Sequence, residues 1–432
     1  MVTISSWGRL EQPEHELRPL QHRSSLASTL RDGAPGLPFG MGRSYGDVCL
    51  NPEGTLWTTR SLDNFIRFDQ ANGIIECEAG VLLKDIQELI VPLGWMLPVT
   101  PGTQFVTVGG AIANDVHGKN HHEYGSFGNH VERLLLCRTD GEEIECGPGM
   151  HDDWYAATVG GMGLTGVISR ATISLRRIET PWMTVESIPF YSLEEFYKLA
   201  DRSESDWEYT VSWIDCVAKN DRRGIFFRAN HSLAIPTQDY STSRRNLVFT
   251  PPISLVNRLS LKPFNWAYFH SHRLRSGEKE MHYQPFFYPL DQIQNWNRMY
   301  GPRGFYQYQC VIPTENREAA IAALLDETTN SNSGSFLAVL KTFGEKPSSG
   351  LLSFPQAGAT LALDFPNRGK ATLDLMQRLD VIVGQAGGRL YAAKDARMTA
   401  GLYAAGYPNL DQFQPFRDPG ISSALSRRLL GS

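Results

Sequence analysis

Residues 98–130 read PVTPGTQFVTVGGAIANDVHGKNHHEYGSFGNH, and the rest of the chain is interpreted outward from this stretch. It contains six glycines and four histidines with almost no apolar periodicity, so it cannot pack a core by itself. Glycine lets a backbone approach a ligand closely, and amides outside regular structure can bind phosphate or a polar ring. The stretch is therefore interpreted as a ligand cradle. The alternative is a long surface loop, which is uncommon in compact domains.

A second glycine-rich stretch, LPFGMGRSYGDVCL, spans residues 37–50. Its three glycines enclose an arginine, a serine and a tyrosine: Gly40, Gly42, Arg43, Ser44, Tyr45 and Gly46. A tight turn whose amides and serine donate hydrogen bonds, with an arginine nearby, suits a pyrophosphate. A plain hairpin turn is the other interpretation of this stretch alone.

A third glycine-rich stretch, residues 154–175, contains Gly161-x-Gly163-x-x-Gly166. This is the dinucleotide-binding fingerprint, but that fingerprint requires a strand before it and a helix after it. Here the following residues, VISRATISL, alternate and favour a strand. We therefore reject a Rossmann fold and expect these glycines to line a second side of the same ligand.

The remaining patterns of the first half predict short strands and one helix. Strands are expected at 55–60 and 73–79, and a helix over 81–93 is ended by Pro92 and Gly94. Residues 131–146 predict a hairpin that turns at Asp140-Gly141.

The composition shifts after Thr180-Pro181, where strands mix with short helices and aromatic residues become frequent. Strands are expected at 304–312, with Gln307 and Gln309 on one face, at 335–344 and at 359–365. An amphipathic helix is expected over 373–388, followed by a short strand and a helical tail. Residues 231–275 are polar and are predicted to be irregular, as a mobile lid or as a plain surface excursion.

Composition bounds the class of protein. The chain has 432 residues, which suits two domains or one interrupted domain, and 41% are hydrophobic. The net charge of -5 and the lack of a Lys/Arg-rich block argue against nucleic-acid binding. Residues 1–13 carry no apolar stretch and no run reaches about 18 apolar residues, so neither a signal peptide nor a membrane-spanning helix is expected. Six scattered cysteines fit reduced thiols, so a cytoplasmic location is expected, with peripheral membrane contact left open.

Taken together, the motifs resemble the vanillyl-alcohol-oxidase type of FAD-linked oxidoreductases. The resemblance rests on five segments: GRSYGD (42–47), PGT with VTVGGAIANDVHGKNHH (101–122), GSFGNHV (125–131), TVGGMGLTGVI (158–168) and RLYAAKD (389–395). It continues through 306–315, 341–344 and 364–366 and covers most of the chain.

The resemblance implies an α+β fold. A two-lobed FAD-binding domain would comprise residues 1–179 and be completed by the C-terminal segment 389–432. Residues 180–388 would form an inserted substrate domain built on an antiparallel sheet, with 231–275 as its mobile insertion.

The resemblance also implies which residues hold FAD: Gly40, Gly42, Arg43, Ser44, Tyr45, Gly46, Asp47, Gly102, Thr107, Val108, Gly109, Gly110, Asn114, Asp115, His117, Val167, Ile168 and Tyr391. Some members attach FAD through a histidine in an Arg-Ser-x-Gly-His turn. Here Asp47 occupies that position and cannot form the bond. Non-covalent FAD is therefore expected.

Three residues are predicted to be catalytic: Lys394, Tyr45 and His117. Spacing alone favours a surface lysine paired with Asp395, whereas the resemblance places Lys394 at the substrate as a base or orienter. A lysine buried beside a flavin would have its pKa lowered toward the working pH. The substrate would be held by Gln307, Gln309, Lys341, Phe343, Trp213 and Lys394.

A metal site is the alternative for the histidines of the cradle. His117 and His121 are four residues apart, a spacing that binds metal on a helix. Gly118 lies between them, the segment is not expected to be helical, and no carboxylate pair completes a site. No metal is predicted.

The expected reaction is oxidation of a secondary sugar hydroxyl, on a polyprenyl-phosphate-linked ribose at C2′. The keto sugar would then be reduced by a separate NAD(P)H-dependent reductase, which completes an epimerisation. Oxidation of a free sugar, alditol, aldonolactone or sugar-containing natural product is the second hypothesis. A flavoprotein that binds a ligand without turnover is the third.

Overall fold

The structure is a computed structural model that describes residues 1–33, 35–218, 222–233, 240, 245–331 and 333–431. It mixes α-helices with sheets whose strands are mostly antiparallel. Within the described ranges, no helix combines the length and apolar character that crossing a membrane requires.

Strands form the framework of the molecule. Over the described residues there are twenty-one: β1 Val2–Thr3, β2 Glu14–Pro19, β3 Gly36–Phe39, β4 Thr55–Thr58, β5 Phe65–Asp69, β6 Ile74–Glu78, β7 Trp95–Met96, β8 Val131–Cys137, β9 Glu143–Cys146, β10 Val167–Ser174, β11 Arg176–Arg177, β12 Trp182–Phe190, β13 Tyr209–Ile214, β14 Gly224–His231, β15 Arg245–Asn246, β16 Gly277–His282, β17 Ile293–Gln294, β18 Phe305–Pro313, β19 Val339–Phe343, β20 Gly358–Pro366 and β21 Arg389–Leu390.

Helices cover and connect these strands. The described part of the chain has thirteen: α1 Leu26–Arg31, α2 Leu83–Ile90, α3 Val108–Ala113, α4 His121–Tyr124, α5 Asp152–Thr158, α6 Leu193–Ser203, α7 Arg258–Leu274, α8 Tyr283–Phe287, α9 Arg317–Asn330, α10 Lys370–Gln385, α11 Ala400–Gly406, α12 Leu410–Phe413 and α13 Ala424–Leu430.

The first 180 residues build two main sheets. One has the order β1-β2-β4-β3, in which β4 runs parallel to β2 and β3. The other is antiparallel, with the order β5-β6-β10-β8-β9. β10 follows the Gly161–Gly166 motif directly, so a strand stands where a Rossmann fold would place a helix. The rejection of that fold and the predicted hairpin at 131–146 are confirmed.

The second half is built on one antiparallel sheet of eight strands, ordered β16-β12-β14-β13-β19-β20-β18-β21. β20 lies between β19 and β18, and all nine of its residues are buried. Alternate residues of a strand share a face, so Gln307 and Gln309 of β18 point the same way. The register pairs them with Asp364 and Ala362 of β20. This part of the sheet therefore presents several polar side chains to one side.

The strand predicted at 335–344 begins later than expected, at Val339. The Ser335 hydroxyl donates to the Leu337 carbonyl at 2.9 Å and accepts from the Leu337 amide at 3.2 Å. Such local bonds compete with a sheet ladder, and they keep residues 335–338 out of the strand.

The prediction that residues 231–275 are irregular is wrong over Arg258–Leu274, which forms the 17-residue helix α7. Asn257 caps it, since its side chain accepts from the amides of Leu259 and Ser260. The pattern was obscured because apolar residues occur on both the buried and the exposed sides of the helix. Residues 234–239 and 241–244 of the predicted insertion lie outside the described residues.

The cradle is not a surface loop, because much of it is buried. It also contains two short helices, α3 and α4, that its glycine content did not predict. Thr107 caps α3 by accepting a hydrogen bond from the Gly110 amide at 3.2 Å. A side-chain cap and packing against the sheet therefore order a segment with little helical periodicity of its own.

The C-terminal tail returns to the N-terminal turn. The Tyr45 amide donates to the Ala393 carbonyl at 3.2 Å, and Gly36 forms a bridge with Ile421. Arg428 of α13 pairs with Asp47 at 2.9 Å. One large core cluster accordingly combines residues of the N-terminal strands, the eight-stranded sheet and the tail. All six cysteines are free thiols, and five are buried.

Candidate active site

A cavity of about 820 Å³ lies where the glycine-rich turn, the cradle, the eight-stranded sheet and the segment after β21 meet. Most of the predicted site residues line it: Gly40, Gly42, Arg43, Ser44, Tyr45, Gly102, Thr107, Gly109, Gly110, Asn114, His117, Val167, Ile168, Trp213, Gln307, Gln309, Lys341, Tyr391 and Lys394. Five do not line it and have other surroundings: Gly46, Asp47, Val108, Asp115 and Phe343. The structure thus gathers residues from both halves of the chain.

The turn at residues 40–46 presents unused donors to the cavity. Among the described residues, the amides of Gly42, Arg43 and Ser44 have no hydrogen-bond partner. Gly42 has a φ of 58°, a conformation that glycine adopts without strain. The Arg43 guanidinium lies 4.2 Å from the centroid of the Trp7 ring. Free amides beside a fixed cation form a site suited to an anionic group.

Gly46 and Asp47 hold the tail rather than face the cavity. A Cβ at Gly46 would collide with the carbonyl oxygen of Asp395, so glycine is required there for close backbone packing. Both carboxylate oxygens of Asp47 accept from Arg428 at 2.9 Å. Their assignment as ligand contacts from the motif alone missed these partners, which lie more than 340 residues away in sequence.

Val108 and Asp115 are likewise occupied within the protein. The Val108 amide donates to the Val81 carbonyl at 2.9 Å. The buried Asp115 carboxylate accepts from the Ser126 hydroxyl at 2.8 Å, the Gly128 amide at 2.9 Å and the Ser353 hydroxyl at 2.5 Å. Asp115 therefore joins the cradle to the segment that follows β19.

Lys394 projects into the cavity beside Tyr45, with Nζ 5.3 Å from the centroid of the tyrosine ring. Burial lowers the pKa of Lys394 to about 8, and the negative charge of Asp364 acts in the opposite direction. In the described part of the chain, Nζ has no hydrogen-bond or ion-pair partner. The surface pair with Asp395 that spacing favoured is absent there, because Asp395 pairs with Arg428 at 3.1 Å. A buried amine with a lowered pKa can accept a proton near neutral pH.

Asp364 is a residue that the sequence reasoning left without a role. Its buried carboxylate accepts from Gln307 Nε2 at 2.7 Å and from the Tyr300 hydroxyl at 3.4 Å. Burial raises the pKa of Asp364. The hydrogen bond from Gln307 and the positive charge of Lys394 act to lower this pKa. The DFP segment at 364–366 was the signal, but the sequence did not show what this carboxylate contacts. Here it orients Gln307.

His117 lines the cavity next to Gln309. Because an amide nitrogen can only donate, Nε2 of His117 accepts from Gln309 Nε2 at 3.1 Å. Burial lowers the pKa of His117 well below its usual value, and the charges of Lys341 and Lys394 act in the same direction. The ring is therefore neutral, with its proton on Nδ1, which lacks a partner among the described residues.

Three partly buried lysines line the cavity: Lys119, Lys341 and Lys394. Nζ of Lys341 donates to the Gly118 carbonyl at 2.8 Å, and Nζ of Lys119 donates to the Phe286 carbonyl. Burial lowers the pKa of both Lys119 and Lys341 to about 7. Each ammonium retains further donors, so the group favours an anionic ligand. Lys119 was missed, although it lies in the quoted cradle.

Two predicted substrate residues differ in what they offer. The Trp213 ring borders the cavity, but its Nε1 already donates to the Phe336 carbonyl at 3.0 Å. Phe343 packs edge-on against His117, with ring centroids 5.0 Å apart, inside a small buried cluster. Trp213 therefore provides an apolar wall, and Phe343 supports His117 from behind the lining.

The other histidines of the cradle pack or bond to the protein. His121 contacts the Phe343 ring at 4.6 Å, and His122 Nε2 lies 2.9 Å from the Trp207 carbonyl oxygen. Over the ranges that the structure describes, no cluster of three or more His, Cys, Asp or Glu side chains could hold a metal ion.

The lining fits a large polar ligand with a flat ring system. Six lining residues have a buried polar atom without a hydrogen-bond partner in the described chain: Nε of Arg43, Oδ1 of Asn114, Nδ1 of His117, Oγ of Ser212, Oε1 of Gln307 and Oε1 of Gln309. A Cβ at Gly102 or Gly163 would meet nothing within 4 Å, so the backbone borders open space there. Unpaired buried groups of this kind normally have a ligand or water partner.

Comparison with known proteins identifies that ligand. A family model described as an FAD binding domain matches residues 21–147. The decaprenylphosphoryl-beta-D-ribose oxidase of Mycolicibacterium smegmatis is 37% identical over 412 residues, covering 90% of this chain and 88% of the relative. An uncharacterized Streptomyces coelicolor protein is 30% identical and covers 81% of this chain and 100% of that protein. A D-lactate dehydrogenase of Archaeoglobus fulgidus is 30% identical over 40% of this chain and 38% of its own length.

The chain belongs to the vanillyl-alcohol-oxidase type of FAD-linked oxidoreductases, the family that its motifs resemble. FAD is its cofactor, and the protein is an FAD-dependent oxidoreductase. The free amides of the turn, the unpaired atoms of the lining and the open space beside Gly102 agree with this cofactor.

Proposed function

We propose that the enzyme oxidises a secondary hydroxyl of a sugar, namely C2′ of a polyprenyl-phosphate-linked ribose, to the keto sugar. A separate NAD(P)H-dependent reductase would then reduce that ketone and complete an epimerisation. The observation that carries the proposal is the cavity that Lys394 lines together with two further partly buried lysines, Lys119 and Lys341. The 37% identity to a decaprenylphosphoryl-beta-D-ribose oxidase supports it.

We assign residues 1–179 and 389–432 to a two-lobed FAD-binding domain and 180–388 to an inserted substrate domain. The pairing of Arg428 with Asp47 and the bridge between Gly36 and Ile421 support this division. So does the eight-stranded sheet, because seven of its strands come from the central segment: β12, β13, β14, β16, β18, β19 and β20.

When bound, FAD supplies the acceptor for the hydride that leaves the carbinol carbon. On the protein side, the turn at 40–45, Asn114 and Tyr391 would hold it without a covalent bond. The Tyr391 hydroxyl donates to the Asn114 carbonyl at 2.8 Å, which joins two of these elements. The other residues proposed to contact it are Gly102, Thr107, Gly109, Gly110, Val167 and Ile168.

The hydroxyl proton of the sugar leaves to Nζ of Lys394, whose pKa is lowered to about 8, so that the neutral amine that accepts the proton becomes more frequent as the pH approaches 8. As the O–H bond breaks, that electron pair forms the carbonyl of the keto sugar. Burial and the charge of Asp364 raise the pKa of Tyr45 well above its usual value, so its hydroxyl stays protonated. Tyr45 can then donate a hydrogen bond that orients the substrate, as can neutral His117.

The phosphate of the substrate is assigned to Lys341 and Lys119, and the ribose hydroxyls to Gln307 and Gln309. The two glutamines are held in place by Asp364 and His117, which leaves their Oε1 atoms to accept from the sugar. Pre-positioned acceptors lower the cost of ordering the substrate. Trp213 would pack against its apolar parts.

We expect Lys341→Met to raise KM for a phosphate-bearing substrate by about tenfold to a hundredfold, because a charge-assisted hydrogen bond contributes roughly 1.5–3 kcal/mol. Steady-state kinetics would measure this change. Lys346→Met is the matched control, since Nζ of Lys346 also donates to a backbone carbonyl but does not line the cavity. An unchanged KM in Lys341→Met would remove this lysine from the phosphate site.

The same site predicts how KM depends on pH. Burial lowers the pKa of Lys341 to about 7, so in the enzyme without substrate the Lys341 side chain is mostly charged below that pH and mostly neutral above it. Since an anion binds the charged form, KM should rise as the pH increases above 7. A free sugar without phosphate should not show this rise.

The second candidate is oxidation of a free sugar, alditol, aldonolactone or sugar-containing natural product. The match to a putative D-arabinono-1,4-lactone oxidase of Neurospora crassa, 26% identical over 31% of this chain, favours it, because that name refers to an aldonolactone without a lipid. A soluble polyol would still find Lys394, Tyr45 and the two glutamines in the cavity, with Lys119 and Lys341 unused.

Anaerobic mixing tests the two candidates. The purified flavoprotein is mixed with a polyprenyl-phosphate ribose, with free sugars and alditols, and with an aldonolactone, while the flavin absorbance is followed. Bleaching by the lipid-linked ribose, with a keto sugar as product, supports the first candidate. Bleaching by soluble compounds alone supports the second, and no bleaching by any of them contradicts both.

Acid precipitation of the holoenzyme should release all of the yellow colour into the supernatant. Asp47 occupies the position of the linking histidine and is paired with Arg428, and a carboxylate cannot form the histidyl bond to the flavin. Absorbance of supernatant and pellet measures this release. A yellow pellet after denaturation would show a covalent bond and would contradict the proposal of non-covalent FAD.

A further inference from the structure

Exposed apolar side chains are concentrated in one stretch of the chain. Among the described residues, ten large apolar side chains are at least half exposed, and eight of them lie between residues 233 and 274. On and before helix α7 they include Val248, Phe249, Ile253, Leu255, Leu259, Trp266 and Leu274, which we call the apolar segment. Such a concentration on a soluble surface marks an interaction site.

Helix α7 separates this surface from the interior. Leu261, Asn265 and Phe269 recur every four residues and are buried against the protein. On the other side, Leu259 and Trp266 are 89% and 58% exposed and lie seven residues apart, so they share a face of the helix. Asn265 anchors the helix by donating to Asp215 at 2.7 Å. The outward position of the apolar residues is therefore held by the fold.

The sequence around the helix is strongly basic. Residues 241–277 contain no Asp or Glu, although the chain as a whole carries a net charge of -5. The same stretch contains six basic residues: Arg244, Arg245, Arg258, Lys262, Arg273 and Arg275. Lys262 and Arg273 are exposed and border the face that carries Leu259 and Trp266. An apolar face with a basic border is complementary to a surface that is apolar inside and anionic outside.

The inner side of the helix reaches the substrate cavity. Tyr268 and His272 line the cavity, and the Tyr268 ring contacts Trp213 with centroids 4.7 Å apart. Helix α7 is thus a wall between the proposed substrate site and the apolar segment. A substrate held by a lipid tail in a bilayer would have to enter near such a wall.

We propose that α7 and the apolar segment dock on an anionic phospholipid membrane, with the helix lying in the plane of the interface. The evidence for the docking surface is the exposure of its apolar side chains and the charge of its basic residues. Its role in presenting a lipid-linked substrate to the cavity rests on the proposed function. The apolar residues insert among the acyl chains, and the exposed Lys262 and Arg273 contact the phosphate groups.

Vesicle flotation tests the surface. The holoenzyme is mixed with phosphatidylcholine vesicles that contain or lack phosphatidylglycerol. We expect the protein to float with the anionic vesicles and to be released by high salt, because salt screens exposed charges. The triple variant Leu259→Ser, Trp266→Ser, Leu274→Ser should bind these vesicles at least about tenfold more weakly, because it loses apolar area that insertion into the membrane would bury. Lys262→Glu and Arg273→Glu should each weaken binding about fivefold.

Val381→Ser is the matched control, because Val381 is 54% exposed but lies on α10, outside the apolar segment. It should bind vesicles as the wild type does. Three results would overturn the proposal: no flotation of the wild type, unchanged flotation of the triple variant, or a dimer by light scattering that the triple variant abolishes. The last result would assign the surface to a second copy of the chain.

Turnover separates this proposal from the proposed function. The triple variant should lose activity on long-chain substrate presented in vesicles but keep activity on a soluble short-chain analogue, because none of its three residues lines the cavity. Flotation without bleaching by any lipid-linked sugar would leave the membrane surface in place and contradict the substrate. Bleaching by lipid-linked ribose without flotation would support the substrate and contradict the membrane surface.

Discussion

Lys394→Met is expected to slow reduction of the flavin by substrate about a thousandfold, within the range that a positioned base contributes. The methionine keeps the volume of the side chain but cannot accept the hydroxyl proton. Nζ of Lys394 faces the cavity beside the Tyr45 ring and has no hydrogen-bond or ion-pair partner in the described chain, so we expect its loss to leave the fold intact. Stopped-flow absorbance under anaerobic conditions measures the rate.

The pH profile gives a second readout of the same role. Burial lowers the pKa of Lys394 to about 8, so the neutral amine predominates above that pH. The rate of the wild type should therefore rise with pH by about tenfold per unit below pH 8 and then level off. Lys394→Arg keeps the charge but stays protonated, so it should be slow at every pH. A normal rate and profile in Lys394→Met would contradict the assignment of the base.

Asp115→Ala is expected to destabilise the protein by roughly 3 kcal/mol or more, because it leaves several buried donors unsatisfied. The donors are the hydroxyls of Ser126 and Ser353 and the amide of Gly128. The effect should come from the fold and not from a lost contact to FAD. Denaturant unfolding of the protein without FAD would measure it.

Ser353→Ala is the control for Asp115, because it removes one donor and leaves the carboxylate two others. It should cost about 1 kcal/mol. If Asp115→Ala unfolds like the wild type without FAD but binds FAD poorly, Asp115 contacts the cofactor and its assignment as a structural residue is wrong. Comparing unfolding with and without FAD separates these outcomes, since a ligand that binds only the folded state stabilises it.

Several features of the fold could be predicted because they depend on short-range rules. Alternation of residues 167–175 predicted β10 and excluded a Rossmann fold, and Asp140-Gly141 predicted a hairpin turn. The same alternation placed Gln307 and Gln309 on one face of β18, and both reach the cavity. Helix α7 was missed because its exposed side is apolar, which conceals the periodicity that burial produces.

The sequence predicted which segments form the candidate site better than it predicted the contacts of their individual side chains. The glycine-rich turn, the cradle and Lys394 all border one cavity. Asp47 and Asp115 come from the same motifs, yet Asp47 pairs with Arg428 of the tail and Asp115 joins two distant segments. A motif shows which residue types occur together but not which way each side chain points.

The sequence by itself predicted the local elements, because apolar periodicity and turn residues act over a few residues, and the resemblance of its motifs to a known family indicated FAD. Only the tertiary structure decided which charges meet. It brought Asp364 within hydrogen-bond distance of Gln307 and placed Lys119 and Lys341 in the lining of the cavity. It also turned the apolar face of α7 toward solvent. The lowered pKa of Lys394 also depends on that packing, since burial removes water from a group whose neighbours come from opposite ends of the chain.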